Sequence, residues 1–552
     1  MAENRFVIGA DYGTNSARFV LVNGRTGSIV TEHVCSYRGG EDGILLDHSR
    51  PLYAKQDPKE YKAAFHACMK SVLDRAEKVR GFKRANVVGI GVDTTGSTPI
   101  PVDKNLEPVG PAWLWKDKTS AAVAKAFNEL AAVWEKKGKP NFTKYTGGLT
   151  SAEWILSKAI QLALEDPDQF STIASFVEHC DYMPAWTVGQ TDPRQIARSR
   201  CAAGHKAHFH EEWGGVPSTE FFVELGRRVG ITDNRLESLA DKLYTPDRVM
   251  TSDKNAGYLK KELAAQYGLS DKVAVAVGAF DAHMGAVGTG ISPGILSKIM
   301  GTSTCDILVG SAADEKLVKG ICGQVPGSVI PGMVGYEAGQ SSAGDTFRWF
   351  RNLILRAQER VDDRSELAAT ERAKTAVYHY LEKNAAKYGP QDVAIVATDY
   401  FNGVRTPDVD PDARGMLLGL TLEHRPGHVY RALIEAVAFG ARAIMDRITQ
   451  YGVPINAVIA CGGLTKSELV MQIHADVTGR PFKVSNVQHT CALGAAMFAA
   501  VAAGLYSRVE AAQDAMNPMA ARFSKVYQPD MAAHAQYADK FEKYQRTRSI
   551  KL

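Results

Sequence analysis

No Cys-x-x-Cys pair occurs among the eight cysteines, which are scattered at positions 35, 68, 180, 201, 305, 322, 461 and 491. That spacing offers neither a zinc knuckle nor a dithiol redox motif, and reduced thiols in the cytoplasm are the expected state. A Gly-x-x-x-x-Gly-Lys-Ser/Thr loop is also missing, which disfavours a P-loop ATPase. The apolar run near the C-terminus, residues 495–506, has 12 residues, against the roughly 20 that a bilayer crossing needs. Met1-Ala2-Glu3-Asn4-Arg5 leads straight into Phe6-Val7-Ile8. With no basic start, apolar stretch and small-residue cleavage site in order, a secretory signal is not expected. Charge of one sign is lacking too. The 65 basic residues face 61 acidic ones, and a net +4 is too slight a field to imply nucleic acid. With 45% hydrophobic and 23% charged residues, wholesale disorder and a collagen-like fibre are excluded.

What is present is an α/β pattern long enough, at 552 residues, for two large domains. Residues 5–10 and 17–22 are apolar runs around Asp11-Tyr12-Gly13-Thr14-Asn15-Ser16, which predicts a hairpin with a polar tip. Helical spacing runs over 58–79, introduced by Asp57 and Pro58, and a buried-type strand comes next at 87–93. The second half echoes this order. Runs at 296–301 and 305–309 flank Gly301-Thr302-Ser303-Thr304. A long helix reads through Leu433 to Ile448, and a strand at 457–460 enters Gly462-Gly463. Thr465 and Glu468 then stand in capping-box spacing before another helix. We divide the chain at 1–285, 286–505 and a helical, surface-lying tail 506–552. Residues 356–390, charged and Ala-rich, are expected to form an exposed helical excursion.

Several patches could carry chemistry. Gly13, Thr14 and Asn15 sit in a turn whose N–H groups can cradle phosphate oxygens, and Gly301, Thr302 and Ser303 repeat that chemistry in the other half. Either turn alone reads equally as an ordinary hairpin tip; the pair together suggests two grips on one polyphosphate. Asp11 could hold Mg²⁺, chiefly through water. Asp281, in Gly278-Ala279-Phe280-Asp281-Ala282-His283-Met284-Gly285, could accept a proton from an alcohol, or simply cap a turn. Gly462 and Gly463 allow close approach of a flat ligand such as adenine, or a tight strand-to-helix turn. Asp93 to Thr98, Trp115-Lys116-Asp117, His205-Lys206 and Glu337 lie in stretches suited to sugar hydroxyls. Each is as readily a satisfied structural group.

The sequence resembles the FGGY carbohydrate kinases along nearly its whole length. The family's C-terminal signature is matched from Gly415 through Leu417, Gly419, Leu420, His428, Val429, Ala432, Leu433 and Ile434 to Glu435. The stretches 91–99, 204–206, 278–288, 299–308 and 319–324 are similar to the members that act on L-ribulose. The resemblance implies two ribonuclease-H-like domains of the actin and sugar-kinase type with a cleft between them. It implies transfer of the γ-phosphate of ATP, with Mg²⁺, to the 5-hydroxyl of L-ribulose in arabinose breakdown. D-Ribulose, ribitol and xylulose are alternatives, and an actin-like filament protein or chaperone-type ATPase is a remote one. In these terms Asp281 falls on the catalytic base and Asp11 on the metal-side aspartate. Gly13, Thr14, Asn15, Gly301, Thr302 and Ser303 fall on the phosphate loops, and Gly462 and Gly463 on the adenosine motif. Ser97, Lys206, Asp281 and Glu337 fall on the sugar contacts. Glu153-Trp154-Ile155-Leu156-Ser157-Lys158-Ala159 keeps the lysine of the N-terminal signature but loses the pattern found after it in glycerol kinase, which argues against glycerol. The expected partners are the sugar and ATP, with a homodimer as the oligomeric option, and neither nucleic acid nor membrane.

Overall fold

The computed structural model describes residues 4–362 and 371–550. Two seven-stranded sheets organise it. The first runs in the order Asn255–Tyr258, Ala274–Ala276, Val87–Thr94, Phe6–Tyr12, Ser16–Asn23, Ile29–Ser36, with Ala279–Phe280 added beside Val87–Thr94. The second runs Gly323–Pro326, Met333–Ala338, Thr304–Ser311, Ile295–Met300, Ala457–Cys461, Phe482–Ser485, Phe523–Tyr527. Each contains an antiparallel hairpin whose first strand also pairs in parallel with a later strand: Phe6–Tyr12 with Val87–Thr94, and Ile295–Met300 with Ala457–Cys461. The duplication expected from the two hairpins is therefore present in the hydrogen-bond ladders.

Local chemistry explains the elements. Helix Pro58–Ala76 starts where the Asp57 carboxylate accepts the Lys59 N–H at 2.9 Å and proline occupies the first turn. It lays Tyr61, Phe65, Met69, Val72 and Leu73 on the hairpin Ser16–Asn23/Ile29–Ser36. The helix after Gly462-Gly463 begins later than its sequence suggests. The Thr465 hydroxyl donates to the Gly462 carbonyl at 2.7 Å and closes a 3₁₀ turn over Gly463–Lys466. Ser467, whose hydroxyl accepts the Val470 N–H, caps the helix Glu468–Thr478 instead.

Three segments behave differently from expectation. Helix Thr490–Ala502, placed by the sequence in the second domain, crosses back and covers the first sheet. Its residues TCALGAAMFAAVA are apolar all round, which fits a helix covered on every side. It lies so close that a Cβ at Gly91 would collide with the Ala495 carbonyl, and one at Gly494 with the Met284 carbonyl of helix Asp281–Thr289. The tail 506–552 is not merely surface helix. Phe523–Tyr527 is the last strand of the second sheet, and Tyr537, Phe541 and Tyr544 of helix Met531–Arg546 are buried in the core around helix Pro426–Gln450. Within 356–390, helices Gly344–Asp362 and Glu371–Ala385 flank residues 363–370, which, with the end of the charged run 358–364, lie outside the described residues. Leu381 and Ala385 are core residues, so this excursion is not wholly exposed. Among the described residues no helix is long and apolar enough to cross a membrane, and all eight cysteines are free.

Gly91→Val should displace the helix from the sheet and lower stability by about 2 kcal/mol or more, as overpacked cores do. The denaturant midpoint checks this; an unchanged midpoint would mean that helix and sheet are not in close contact.

Candidate active site

Strand register assembles the acidic centre. Asp11 and Asp93 are paired across parallel strands. On the other side of Val87–Thr94, Ala279 pairs with Asp93 and Phe280 with Thr94, so that Asp281 comes directly after as the first residue of helix Asp281–Thr289. Three carboxylates thus end three adjacent strands. The Ala282 N–H donates to Asp281 at 2.7 Å, and Arg18 stands 3.8 Å from Asp11. Asp93 is fully buried and no neighbouring donor is aimed at either of its oxygens, which face the Asp11 carboxyl. Burial first, then the charges of Asp11 and Asp281, hold the Asp93 carboxyl well above the ordinary carboxylate range. Burial, then Asp11, raises Asp281 to about 7, with the Ala282 N–H opposing. Burial also raises Asp11, against the pull of Arg18.

Asp11 and Asp93 offer oxygen ligands close together, and the orphaned oxygens of Asp93 suit a hard cation such as Mg²⁺. Cys491 Sγ belongs to the same cluster, but sulfur is a soft ligand and does not suit such an ion.

The first turn is tight, with Gly13 N–H donating to the Ser16 carbonyl at 2.9 Å. Its other groups are held from outside. Gln56 donates to the Thr14 carbonyl at 2.6 Å, Trp115 Nε1 to the Thr14 hydroxyl at 3.0 Å, and Asn15 Nδ2 to the Asp42 carbonyl at 2.6 Å. In the second turn Gly301 N–H donates to the Ser303 carbonyl. The Gly301 and Thr302 carbonyls accept from Gly344, Ala343 and Asp345, at the start of helix Gly344–Asp362. The parallel pairing Ile299↔Cys461 sets Gly462 and Gly463 beside this turn. Gly462 has φ +99° and a Cβ there would meet the Met300 carbonyl, whereas Gly463 faces open space.

The sugar-type residues gather from both halves. Lys206, on helix Arg200–Ala207, donates to both oxygens of Glu337 on strand Met333–Ala338, at 2.8 and 3.0 Å. Burial alone would raise the Glu337 carboxyl, but Lys206, then His205 and His283, hold it far below its usual range. Asp281 and His283 both lie in the first turn of helix Asp281–Thr289, and His283 Nε2 is 3.8 Å from Glu337 Oε2, so the acidic centre and this pair are neighbours. Ser97 is brought there differently than its sequence position suggests. Its hydroxyl is committed to Glu178, which also accepts the Thr98 N–H at 2.7 Å. Its carbonyl accepts from Lys158, which donates to the Trp113 and Leu114 carbonyls as well. The retained signature lysine therefore braces the loop 96–98. Sequence reasoning placed Asp93 only in a stretch suited to sugar hydroxyls and Lys158 only as the retained signature lysine, and it gave Glu178 and His283 no role. Three strands ending in aspartate was the signal for the first; the others are contacts between distant segments.

Residues 6–288 match the N-terminal domain, and residues 296–503 the C-terminal domain, of the FGGY family of carbohydrate kinases. A ribulokinase of Vibrio parahaemolyticus is 37% identical, over 98% of this chain and 94% of its own. One of Geobacillus thermodenitrificans is 40% identical, over 92% and 89%. Among solved structures, the xylulose kinase of Rhodospirillum rubrum shares the fold with a TM-score of 0.78 at 23% identity, covering 98% of each chain. Plasmodium falciparum glycerol kinase with ADP has a TM-score of 0.76 at 17% identity and covers 100% of each.

The raised carboxyl groups of the acidic centre set a pH dependence. A carboxyl whose folded pKa is raised contributes stability below its unfolded value, near 3.8 for Asp281, and loses it as pH rises through about 7. Asp93→Asn keeps the neutral form at every pH. Without divalent cation it should raise the thermal midpoint by about 3 °C or more at pH 8 and leave it nearly unchanged at pH 4. An equal shift at both pH values would show that Asp93 is not held neutral.

Proposed function

The chain belongs to the FGGY family of carbohydrate kinases, and from that premise we propose that it phosphorylates the 5-hydroxyl of L-ribulose. Its relatives named ribulokinase support this choice of sugar over xylulose, ribitol or D-ribulose. The observation that carries the chemistry is Asp281: a half-buried carboxylate whose pKa is pushed up to about 7, at a helix start near the Lys206–Glu337 pair. Such a group is poised to take a proton near neutral pH. A filament protein or chaperone is set aside by membership of a carbohydrate kinase family.

In this reading Lys206 and Glu337 hold the sugar hydroxyls and orient the terminal one toward Asp281. Asp281 accepts its proton as the oxygen bonds to the γ-phosphorus, while the bond from that phosphorus to the bridging oxygen breaks and ADP leaves. Gly13 and Gly301 close the two turns through their own N–H groups, which leaves the backbone N–H groups of Thr14 and Asn15 and of Thr302 and Ser303 to bind the phosphate oxygens; Gly462 lets the chain turn tightly against Met300, and Gly463 leaves room for the adenosine. Asp11, with Asp93 beside it, would hold Mg²⁺, which when bound neutralises charge on the phosphates. Ser97 acts through the shape of its loop, since its hydroxyl is already bonded to Glu178. A lobe boundary near residue 285 and a cytoplasmic place in arabinose breakdown complete the reading.

Asp281→Ala should reduce kcat by a hundredfold or more, with ATP affinity within about threefold of the parent by calorimetry. With both substrates subsaturating, kcat/KM of the parent should rise with pH through about 7. Near-parental turnover in the variant removes Asp281 as the base. A coupled assay across L-ribulose, D-ribulose, xylulose and ribitol should give the highest kcat/KM for L-ribulose; a higher value for another sugar reassigns the substrate.

A further inference from the structure

Around Glu337 of the Lys206–Glu337 pair stand two histidines to which phosphoryl transfer gives no role. His205 comes from helix Arg200–Ala207, His283 from helix Asp281–Thr289, and Glu337 from the second sheet. All three are buried, and their ligand atoms lie within 4.8 Å of one another. Glu337 Oε2 is 3.4 Å from His205 Nδ1 and 3.8 Å from His283 Nε2. Two ligand atoms, each roughly 2.1 Å from a tetrahedral ion, stand about 3.4 Å apart. The His205–Glu337 separation already has that value, and the others, 3.8 Å for His283–Glu337 and within 4.8 Å for the two imidazoles, need only side-chain adjustments of about an ångström to reach it.

Independent features point the same way. His205 Nδ1 and both nitrogens of His283 have no hydrogen-bond partner, and an unpaired buried polar group costs about 1–3 kcal/mol. His205 Nε2 meets the Ser328 hydroxyl at 3.1 Å, which fixes the ring and leaves Nδ1 facing Glu337. A Cβ at position 323 would collide with that Nδ1, so the room beside it depends on Gly323. Lys206 bonds both Glu337 oxygens and can keep Oε1 while Oε2 turns to an ion.

We propose that His205, His283 and Glu337 form a binding site for a zinc-class divalent ion, which joins the two lobes and competes with the sugar for Glu337. The competition rests on the assignment of this pocket to the sugar; the ion site itself does not. Two imidazoles and one carboxylate favour Zn²⁺ or Co²⁺ over Mg²⁺, which prefers an all-oxygen shell.

The test is Zn²⁺ titrated calorimetrically into the full chain with Mg²⁺ present throughout. One ion should bind per chain, with affinity lowered tenfold or more in both His205→Asn and His283→Asn. Lys206→Met keeps all three ligands and removes the competing cation, so it should tighten binding at least threefold; this variant decides the matter if the histidine variants do not fold. Saturating L-ribulose should weaken Zn²⁺ binding tenfold or more. Zn²⁺ binding that is lost in the histidine variants yet indifferent to every sugar upholds the ion site and overturns the sugar assignment. Absence of one-to-one binding, or binding unchanged in all three variants, overturns the ion site.

Discussion

Three carboxylates side by side, Asp93 fully buried between the half-buried Asp11 and Asp281, impose the constraint on which the rest of the structure depends. Like charges in a low-dielectric site repel, and Arg18, 3.8 Å from Asp11, is the cation that the geometry places against them. Such a cluster persists only where the backbone leaves it no alternative. Strand pairing on both sides of Val87–Thr94 does this, and helix Thr490–Ala502, seated against glycine on the sheet and on helix Asp281–Thr289, locks the third member in place. Stability is given up locally so that a site able to take both a cation and a proton exists before any ligand arrives.

The second consequence is that the two halves meet through buried charge as well as through an apolar core that runs from Phe280 and Ala203 to Ile307 and Val329. Lys206 reaches Glu337 from the first half to the second, and His205 reaches Ser328. Buried ion pairs of this kind do not by themselves add much stability, because desolvation offsets attraction. They do set geometry: Glu337, held anionic by Lys206, is presented at one place between the lobes. Behind the second turn another buried network runs from Lys298, paired with Asp306 at 2.9 Å, through Gln340 and Asp399 to the Tyr544 hydroxyl. Since Lys298 also touches Thr304, the C-terminal helix is tied to the turn that begins at Gly301.

Some of this was legible in order along the chain. Alternating apolar runs around Gly-Thr-Asn and Gly-Thr-Ser tips marked both hairpins, and the spacing of Tyr61, Phe65 and Met69 marked a helix, because these signals are local and repeat with the period of their element. The signature residues from Gly415 to Glu435 named a family for the same reason: they are read in one stretch. The cap at Ser467 rather than Thr465 was misread, since both hydroxyls suit a cap and only the 3₁₀ turn chooses between them.

By itself the sequence determined the α/β class, the two polar-tipped hairpins, the family resemblance and the candidate residues, since each depends on neighbours within a turn or two. Tertiary structure alone decided that Asp93 stands between Asp11 and Asp281, that Ser97 is spoken for by Glu178, that helix Thr490–Ala502 belongs with the first sheet, and that two histidines converge on Glu337. These are pairings between segments up to hundreds of residues apart. Register, close glycine contacts and burial set them, and no spacing along the chain records such distances.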